Sequence, residues 1–171
     1  MISRRALLLT GCSAVVLAGC SSDETVKDAV AKAGASVDAF ADSEFRSLSS
    51  GEWKERLSPE AYAVLRLEDT ERPFTSPLND EKRRGVFHCA GCDLELFSSD
   101  TKYDSGTGWP SFYDVMPGAV GTKTDTKLLS VRTEYHCARC LGHQGHVFND
   151  GPAPTGLRYC NNGVALTFRP A

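Results

Sequence analysis

One six-residue pattern occurs twice in this chain, as Phe87-His88-Cys89-Ala90-Gly91-Cys92 and as Tyr135-His136-Cys137-Ala138-Arg139-Cys140. Each copy reads aromatic-His-Cys-Ala-x-Cys, and each follows a predicted strand. Two such turns can present four thiolates in a tetrahedron, which is the arrangement of a structural zinc site. We therefore predict one structural zinc ion, held by Cys89, Cys92, Cys137 and Cys140. The gap between the pairs exceeds the usual zinc-ribbon spacing, so the fold must bring two distant hairpins together.

The sequence leaves two alternatives to this metal site. His88 and His136 could be ligands, but four thiolates already close the shell, so we interpret both as flanking residues. The cysteine pairs could instead form two disulfides, which an exported chain would favour. A bridge within Cys-x-x-Cys is usually strained and reducible, and this favours zinc.

A fifth cysteine, Cys160, lies in Thr155-Gly156-Leu157-Arg158-Tyr159-Cys160-Asn161-Asn162-Gly163, a predicted strand entered through a glycine turn. Alternate side chains of a strand share a face, so Arg158, Cys160 and Asn162 point the same way. A nearby cation lowers the pKa of a thiol, and an amide can orient a bound group. The stretch therefore predicts a reactive thiol, although a lone cysteine is more often a buried structural residue.

Two further segments carry residues suited to thiol chemistry. Trp109 lies in a loop with two glycines, where its ring offers a rigid apolar wall, although alone it would indicate a core residue beneath a turn. His143 and His146 are three residues apart and could flank one substrate atom if Gly145 bends the chain. Alone, they could equally be a weak metal site or two surface histidines. With Cys160 downstream, they favour acid-assisted thiol chemistry.

The N-terminus indicates export, and the composition indicates one globular domain. The chain has 171 residues, 41% hydrophobic and 24% charged, and its formal net charge of -3 offers no basic surface for nucleic acid. An apolar run after Arg4-Arg5 is too short to span a membrane as a stable helix, so residues 1–19 are predicted to be a signal peptide. The run ends at Leu17-Ala18-Gly19-Cys20, which resembles a bacterial lipobox, and Ser3-Arg4-Arg5-Ala6-Leu7-Leu8 resembles a twin-arginine signal.

From this N-terminus we expect lipidation of Cys20, which would anchor the exported chain to the periplasmic face of a bacterial membrane. The alternative is an ordinary secretory signal with an incidental Cys20. Residues 20–50 are rich in Ser, Ala, Asp and Gly, which is typical of a flexible tether.

Residues 51–171 form the predicted domain. A helix is predicted to begin at Ser58-Pro59-Glu60, and the signals from Gly85 onward favour strands. One predicted strand alternates between a buried set and a solvent-facing set: Leu129, Val131, Thr133 and Tyr135 inside, with Ser130, Arg132 and Glu134 outside. The sequence therefore predicts a mainly β, mostly antiparallel domain with short N-terminal helices.

Taken in order, these segments resemble the zinc-containing type B methionine-(R)-sulfoxide reductases. Besides both Cys-x-x-Cys pairs, the matching segments are 70–74, 108–112, 143–148, 150–152 and 158–162, within a stretch from about Trp53 to Phe168. The resemblance implies two antiparallel sheets with the zinc opposite the active site. It also implies reduction of methionine-(R)-sulfoxide in oxidised proteins, here as repair of exported proteins under oxidative stress, and we expect a monomer.

The resemblance implies a role for individual residues as well. Cys160 would attack the sulfoxide sulfur and become a sulfenic acid. His143 and His146 would hydrogen-bond and protonate the departing oxygen. Asn162 and Arg158 would order the pocket, and Trp109 would receive the ε-methyl group of the substrate.

Three positions depart from the family pattern. Many members have a resolving cysteine where this chain has Thr107, so that internal disulfide cannot form and a thioredoxin-like external thiol is the expected reductant. Gln144 stands where leucine is usual, and Asn161 where an aliphatic residue is common. We expect these two substitutions to adjust the rim of the pocket.

Two functions of other classes compete with the enzyme. A zinc-ribbon interaction module without catalysis would have no need of Cys160, His143 or His146. A surface lipoprotein cross-linked by two disulfides would have no thiolates left to bind zinc.

Overall fold

The computed structural model describes residues 26, 28–29, 37–127 and 131–171. The predicted signal peptide, Cys20 and most of the predicted tether lie outside the described residues, as do Leu129 and Ser130. In the part that the structure describes, no helix is long and apolar enough to cross a membrane.

Two short helices open the domain. Helix α1 (Ser50–Arg56) begins with a capping box, in which Ser49 and Glu52 each accept the backbone N–H of the other. Helix α2 (Pro59–Leu67) begins as predicted, with the Ser58 side chain accepting the N–H of Ala61. It buries three apolar side chains against the strands: Ala61, Val64 and Leu65.

The residues before α1 also contact the domain. A 3-10 turn covers Glu44–Arg46, and the Arg46 guanidinium donates to the backbone oxygen of Ala138 at 2.7 Å. Phe45 and Leu48 pack against the core. The contacts of the domain therefore begin before the predicted boundary at residue 51.

Within the described residues, nine strands form two antiparallel sheets. The strands are β1 (Gly85–Cys89), β2 (Glu95–Ser98), β3 (Lys102–Tyr103), β4 (Ser111–Phe112), β5 (Val120–Asp125), β6 (Arg132–Cys137), β7 (His143–Phe148), β8 (Arg158–Asn161) and β9 (Leu166–Pro170). The smaller sheet has the order β2-β1-β9 and the larger one β3-β4-β8-β7-β6-β5. The predicted fold class is confirmed.

An aromatic core joins the two sheets. Phe97 of the smaller sheet stacks on Phe112 of the larger one, with ring centroids 4.1 Å apart. Tyr135 and Tyr159, on β6 and β8, meet edge to face at 5.3 Å. All four rings are buried, and stacked or edge-to-face packing gives such rings a defined geometry. The core therefore fixes the inner face of the larger sheet.

The predicted alternation along β6 is wrong at two positions. Val131 precedes the strand and is 75% exposed, although we predicted it to be buried. Glu134 was predicted to face solvent and is only 2% exposed. Its carboxylate is covered because β5 and β7 flank β6 and place Lys123 and His143 against it.

Candidate active site and metal centre

The four cysteines of the repeated pattern lie together in the structure. Cys89 ends β1 and Cys137 ends β6, while Cys92 and Cys140 lie in the turns that follow. All four are buried, and their sulfur atoms lie within 4.8 Å of one another. The shortest contacts connect the two turns, at 3.6 Å from Cys89 to Cys140 and 3.4 Å from Cys92 to Cys137.

This cluster fits a metal ion better than two disulfides. Sulfur atoms bound tetrahedrally to zinc are about 3.8 Å apart, whereas a disulfide bond is about 2 Å long. The four cysteines are free thiols, and their shortest contacts run across the pairs rather than within them. The pKa of Cys89 is raised well above 9.0 by hydrogen bonds among the crowded thiols, of which the one with Cys137 has the largest effect, and by burial. A bound cation would reverse this shift, and four thiolates suit zinc, so the donor set confirms the predicted site.

A row of directly paired residues crosses the larger sheet from β3 to β5. The pairs are Tyr103–Ser111, Ser111–Cys160, Cys160–His146, His146–Glu134 and Glu134–Lys123. Directly paired residues of neighbouring strands point to the same face of a sheet. We call this side the Cys160 face. Ser111 and Cys160, which are 160 − 111 = 49 positions apart in the sequence, are thereby set side by side.

A β-bulge brings both histidines to the Cys160 face. Gly145 pairs with Tyr135 and His143 with His136, so Gln144 is the extra residue of β7. The ring centroids of His143 and His146 lie 5.5 Å apart as a result. We expected the bend at Gly145. The absence of a side chain at Gly145 instead allows the close approach of β8, because a Cβ there would lie 1.9 Å from the backbone oxygen of Cys160.

His143 is held by a buried carboxylate. Its Nδ1 lies 2.9 Å from Glu134 Oε1, and Lys123 Nζ lies 3.0 Å from Glu134 Oε2. Burial opposes ionisation of Glu134, yet the bonds from His143 and Lys123 hold its pKa below 4.5. At neutral pH Glu134 is therefore a carboxylate that accepts the Nδ1–H of His143 and fixes the orientation of the ring.

His146 has its own carboxylate partner, Asp125. The Nε2–Oδ2 distance is 2.7 Å, and Arg132 contacts the same Oδ2 at 2.6 Å. Hydrogen bonds from the backbone N–H of Lys127 and from His146 hold the pKa of Asp125 well below 3.8. Desolvation lowers the pKa of His146 despite this partner. The ring is therefore neutral at pH 7, with Nε2–H donating to Asp125 and the Nδ1 lone pair free to accept a proton.

The Cys160 thiol has a raised pKa, contrary to our prediction. Burial raises it above 9.0, and the Arg158 charge and the Thr107 hydroxyl only partly oppose this. Arg158 is itself neutralised by two 2.8 Å bonds to Asp150. Its guanidinium also lies over the Phe148 ring at 4.3 Å. In the absence of substrate, Cys160 is therefore a thiol at neutral pH.

A cleft of about 120 Å³ opens at Cys160. Of the predicted active-site residues, Trp109, His146 and Asn162 also line it. His143 is buried behind this cleft at 3% exposure. Arg132 lines the cleft as well, although no sequence motif predicted it to lie there. The structure therefore gathers the predicted site residues around one sulfur atom.

Glu71 connects the walls of the cleft. Its backbone oxygen accepts the Trp109 indole N–H at 2.9 Å, and its backbone N–H donates to Asn162 Oδ1 at 2.9 Å. Asn162 Nδ2 in turn donates to the Gln144 backbone oxygen at 3.0 Å. Both ends of the Asn162 amide are thus bonded to protein. Asn162 thereby orders the cleft that it lines.

Sequence reasoning gave no role to four acidic residues that support this site: Glu71, Asp125, Glu134 and Asp150. A buried acid in an alternating strand carries no local sign that it is buried. Only the pairing of β5, β6 and β7 brings Asp125 and Glu134 to the histidines.

Our expectation that Gln144 lies at the rim of the pocket is wrong, whereas Asn161 does line the cleft, although not as an exposed rim residue. Both side chains are 0% exposed. They project away from the Cys160 face, because Asn161 alternates with Cys160 and Gln144 is the bulged residue.

The chain is similar to known proteins. Residues 57–170 match the model of the SelR domain. Three curated relatives are each named peptide methionine sulfoxide reductase MsrB. The relative from Agrobacterium fabrum is 54% identical over 71% of this chain and 91% of its own length. The relative from Pseudomonas putida is 57% identical over 70% of this chain and 90% of its own length. The relative from Methanosarcina barkeri is 57% identical over 71% of this chain and 86% of its own length.

A solved structure, the Yippee-like domain of Mis18, is only remotely similar, with 21% identity and a TM-score of 0.41 over 52% of this chain and 98% of that one. The match to the SelR domain covers about two thirds of the chain, and the curated relatives are matched over most of their length. The chain therefore belongs to the SelR family, the type B peptide methionine sulfoxide reductases, which reduce methionine-(R)-sulfoxide in proteins.

Proposed function

We propose that Cys160 is the nucleophile of this reductase and that His143 and His146 supply the proton for the departing oxygen. The observation that carries the proposal is the direct pairing of Cys160 with His146 at the cleft, with His143 and Glu134 immediately behind. The Trp109 ring on the wall of the same cleft offers an apolar surface for the ε-methyl group. Glu71 fixes the orientation of that ring.

The chemical step transfers one oxygen atom. Cys160 Sγ bonds to the sulfoxide sulfur, and the oxygen then moves to Sγ as the sulfur–oxygen bond of the substrate and the new Sγ–sulfur bond break, which leaves a sulfenic acid and methionine. The substrate sulfur is reduced by two electrons and Sγ is oxidised by two. The neutral His146 accepts the thiol proton at Nδ1 and passes it to the oxygen. His143, which the Glu134 carboxylate orients, hydrogen-bonds to the oxygen as it becomes negative. The transferred oxygen finally carries the proton of the thiol.

Recycling of Cys160 requires an external thiol. Thr107 occupies the family's resolving position, and the four other cysteines of the domain form the metal cluster. An external thiol attacks the sulfenic acid, releases water and leaves a mixed disulfide. A second thiol of the same donor then frees Cys160 and becomes part of a disulfide. A thioredoxin-like dithiol in the compartment of the enzyme suits both steps.

The test of the catalytic roles is a reaction without reductant. Mature protein mixed with excess methionine-(R)-sulfoxide peptide should release one methionine per chain and then stop. Cys160→Ser should release none while it keeps its metal and its melting temperature. A normal burst from this variant would remove Cys160 from the mechanism.

We also propose that the enzyme is an exported lipoprotein with a flexible tether over residues 20–50, and that it acts as a monomer on oxidised exported proteins. The support is the sequence Leu17-Ala18-Gly19-Cys20 with Arg4-Arg5 before it. Cys20→Ala should leave the precursor unprocessed, and mass spectrometry of the native protein should show acyl chains on Cys20. An unmodified N-terminus beyond Cys20 would overturn the anchor.

A further inference from the structure

A chain of buried hydrogen bonds connects Tyr135 to the metal centre. The Tyr135 hydroxyl donates to Asn161 Oδ1 at 2.7 Å, and Asn161 Nδ2 donates to Gln144 Oε1 at 3.3 Å. Gln144 Nε2 then donates to Cys89 Sγ at 3.4 Å. All four residues are almost fully buried, with exposures of 0–1%. We call the first three residues, Tyr135, Asn161 and Gln144, the amide bridge.

Each residue of the amide bridge directs one donor toward the metal centre. The Tyr135 hydroxyl fixes Oδ1 as the accepting end of Asn161, so Nδ2 donates to Gln144 Oε1 and also to the Asn162 backbone oxygen at 2.8 Å. Gln144 therefore accepts at Oε1 and has its N–H groups left for Cys89. A thiolate can accept hydrogen bonds but cannot donate them, so the bridge ends on the group that matches its polarity. Aligned hydrogen bonds polarise one another, which strengthens the last one.

Packing alone does not account for these two amides. A buried amide is costly unless all its polar groups are bonded, and apolar side chains of similar volume would fill the same space without that requirement. What the amides add is an N–H directed at Cys89. Hydrogen bonds to a metal-bound ligand of this kind orient it and tune its binding.

We propose that Gln144 is an outer-sphere hydrogen-bond partner of the metal centre and that Asn161 orients it. The Gln144 N–H stabilises the Cys89 thiolate and thereby tightens metal binding. Gln144 is also the bulged residue beside His143, so one residue supports the metal centre and shapes the strand with both histidines. The proposal concerns the metal site alone, and it holds or fails independently of the reductase mechanism.

The test uses the full mature protein loaded with cobalt, whose thiolate charge-transfer band reports on the sulfur donors. In Gln144→Leu, we expect the metal dissociation constant, measured against a chromophoric chelator, to rise about 10-fold or more. The charge-transfer band should move to lower energy, because a thiolate without its hydrogen bond is a better electron donor. Asn161→Val should weaken metal binding less, because the Gln144 N–H remains but loses its orienting partner. Wild-type affinity together with a wild-type band in Gln144→Leu would overturn the proposal.

Tyr135→Phe is the matched control. It removes a buried hydrogen bond of the same bridge and leaves the bond to Cys89 in place. Its melting temperature should fall, while its charge-transfer band moves much less than that of Gln144→Leu. If it moved the band and the affinity as far as Gln144→Leu does, the cause would be general loosening of the core.

A triple variant separates metal tuning from folding. Gln144→Leu, Asn161→Val and Tyr135→Phe together leave no member of the bridge with an unpaired polar group, so the melting temperature of the loaded protein should recover. The weaker metal binding and the shifted band should persist. Recovery of wild-type metal affinity and of the wild-type band position in the triple variant would contradict the proposal.

Discussion

The metal cluster and Cys160 are two environments for the same thiol group. The four clustered cysteines are buried, lie within 4.8 Å of one another and can share one cation. Cys160 is half-buried at the edge of a cleft, and it has a neutralised arginine, a hydroxyl group and a paired histidine for neighbours. A thiolate that shares a metal ion is stabilised and unreactive, whereas a thiol beside a proton acceptor can become a nucleophile when a substrate arrives.

The difference shows that burial alone does not decide what a cysteine does. Hydrogen bonds among the clustered thiols, followed by burial, raise the pKa of Cys89, and burial raises the pKa of Cys160. A bound cation offsets that effect in the cluster. At Cys160 only a proton transfer to a neighbouring base can produce the thiolate, so reactivity there is tied to the histidines. Variants of each region should therefore fail in different ways.

The largest expected effect on stability is at the metal cluster. Cys89→Ser opens the shell of four thiolates, and in small domains the free energy of metal binding is part of the free energy of folding. We expect metal release and a loss of more than about 4 kcal/mol in the free energy of unfolding. Denaturant titration with metal analysis of the same sample measures both.

Cys160→Ser is the control for the metal variant, because it should abolish activity while leaving metal content and unfolding free energy unchanged. Retained zinc and an unchanged unfolding curve in Cys89→Ser would refute the structural role of the cluster.

The second prediction concerns the carboxylate behind His143. Glu134→Gln keeps the size of the side chain but removes the negative charge that faces His143 Nδ1, so kcat should fall about 100-fold. Despite burial, the bonds from His143 and Lys123 hold the pKa of Glu134 below 4.5, so in wild type this carboxylate loses its charge, and kcat falls, only as the pH drops below 4.5. Glu134→Gln should lack this acid limb of the kcat profile.

Two variants serve as controls for Glu134→Gln. Lys123→Met removes the outer partner of Glu134 and should lower kcat less than Glu134→Gln does. Glu81→Gln changes a carboxylate that pairs with Arg83 and does not line the cleft, so it should leave kcat unchanged. An unshifted pH profile in Glu134→Gln would mean that Glu134 has no part in proton transfer.

The two regions also differ in how far the sequence predicted them. The metal cluster is encoded in a repeated local pattern, and each copy forms its own turn, so ligand identity followed from spacing. Cys160, His143 and His146 likewise stood out in local motifs. The zinc site was therefore predictable from spacing, whereas the two sheets were implied by the resemblance to the type B reductases.

The supporting acids were not predictable, because their role depends on pairing between strands. Glu134 looks like a solvent-facing residue until β5 and β7 are placed on either side of it. The bulge at Gln144 reverses the direction of that side chain, so a rim position became a buried one. The net direction of the Cys160 pKa also depends on burial and on the Arg158–Asp150 pair, neither of which a short motif contains.

The third prediction replaces the missing resolving cysteine. The Thr107 hydroxyl hydrogen-bonds to the Cys160 thiol, so a cysteine at position 107 would lie close enough for a disulfide. After one turnover without reductant, Thr107→Cys should contain an internal disulfide to Cys160, and wild type should contain none. Non-reducing peptide mapping distinguishes them, with Ser105→Cys as a control in the same loop. An internal Cys160 disulfide in wild type would overturn recycling by an external thiol.

The smallest expected effect is a shift in the reactivity of Cys160 with pH. In wild type, the rate of alkylation by iodoacetamide should rise with pH to a midpoint above 9.0, because burial raises the Cys160 pKa. The Arg158 charge lowers that pKa and Asp150 raises it. Arg158→Met removes the favourable charge and leaves Asp150 without a partner, so both changes move the midpoint to higher pH.

The double variant Arg158→Met with Asp150→Asn should recover part of this shift, since it also removes the unfavourable charge. Arg169→Met is the matched control, because Arg169 is an exposed arginine that pairs with Asp93 instead. Its midpoint should equal that of wild type. A midpoint in Arg158→Met at or below the wild-type value would show that Arg158 does not stabilise the Cys160 thiolate. The contrast with the metal cluster would then depend on the histidines alone.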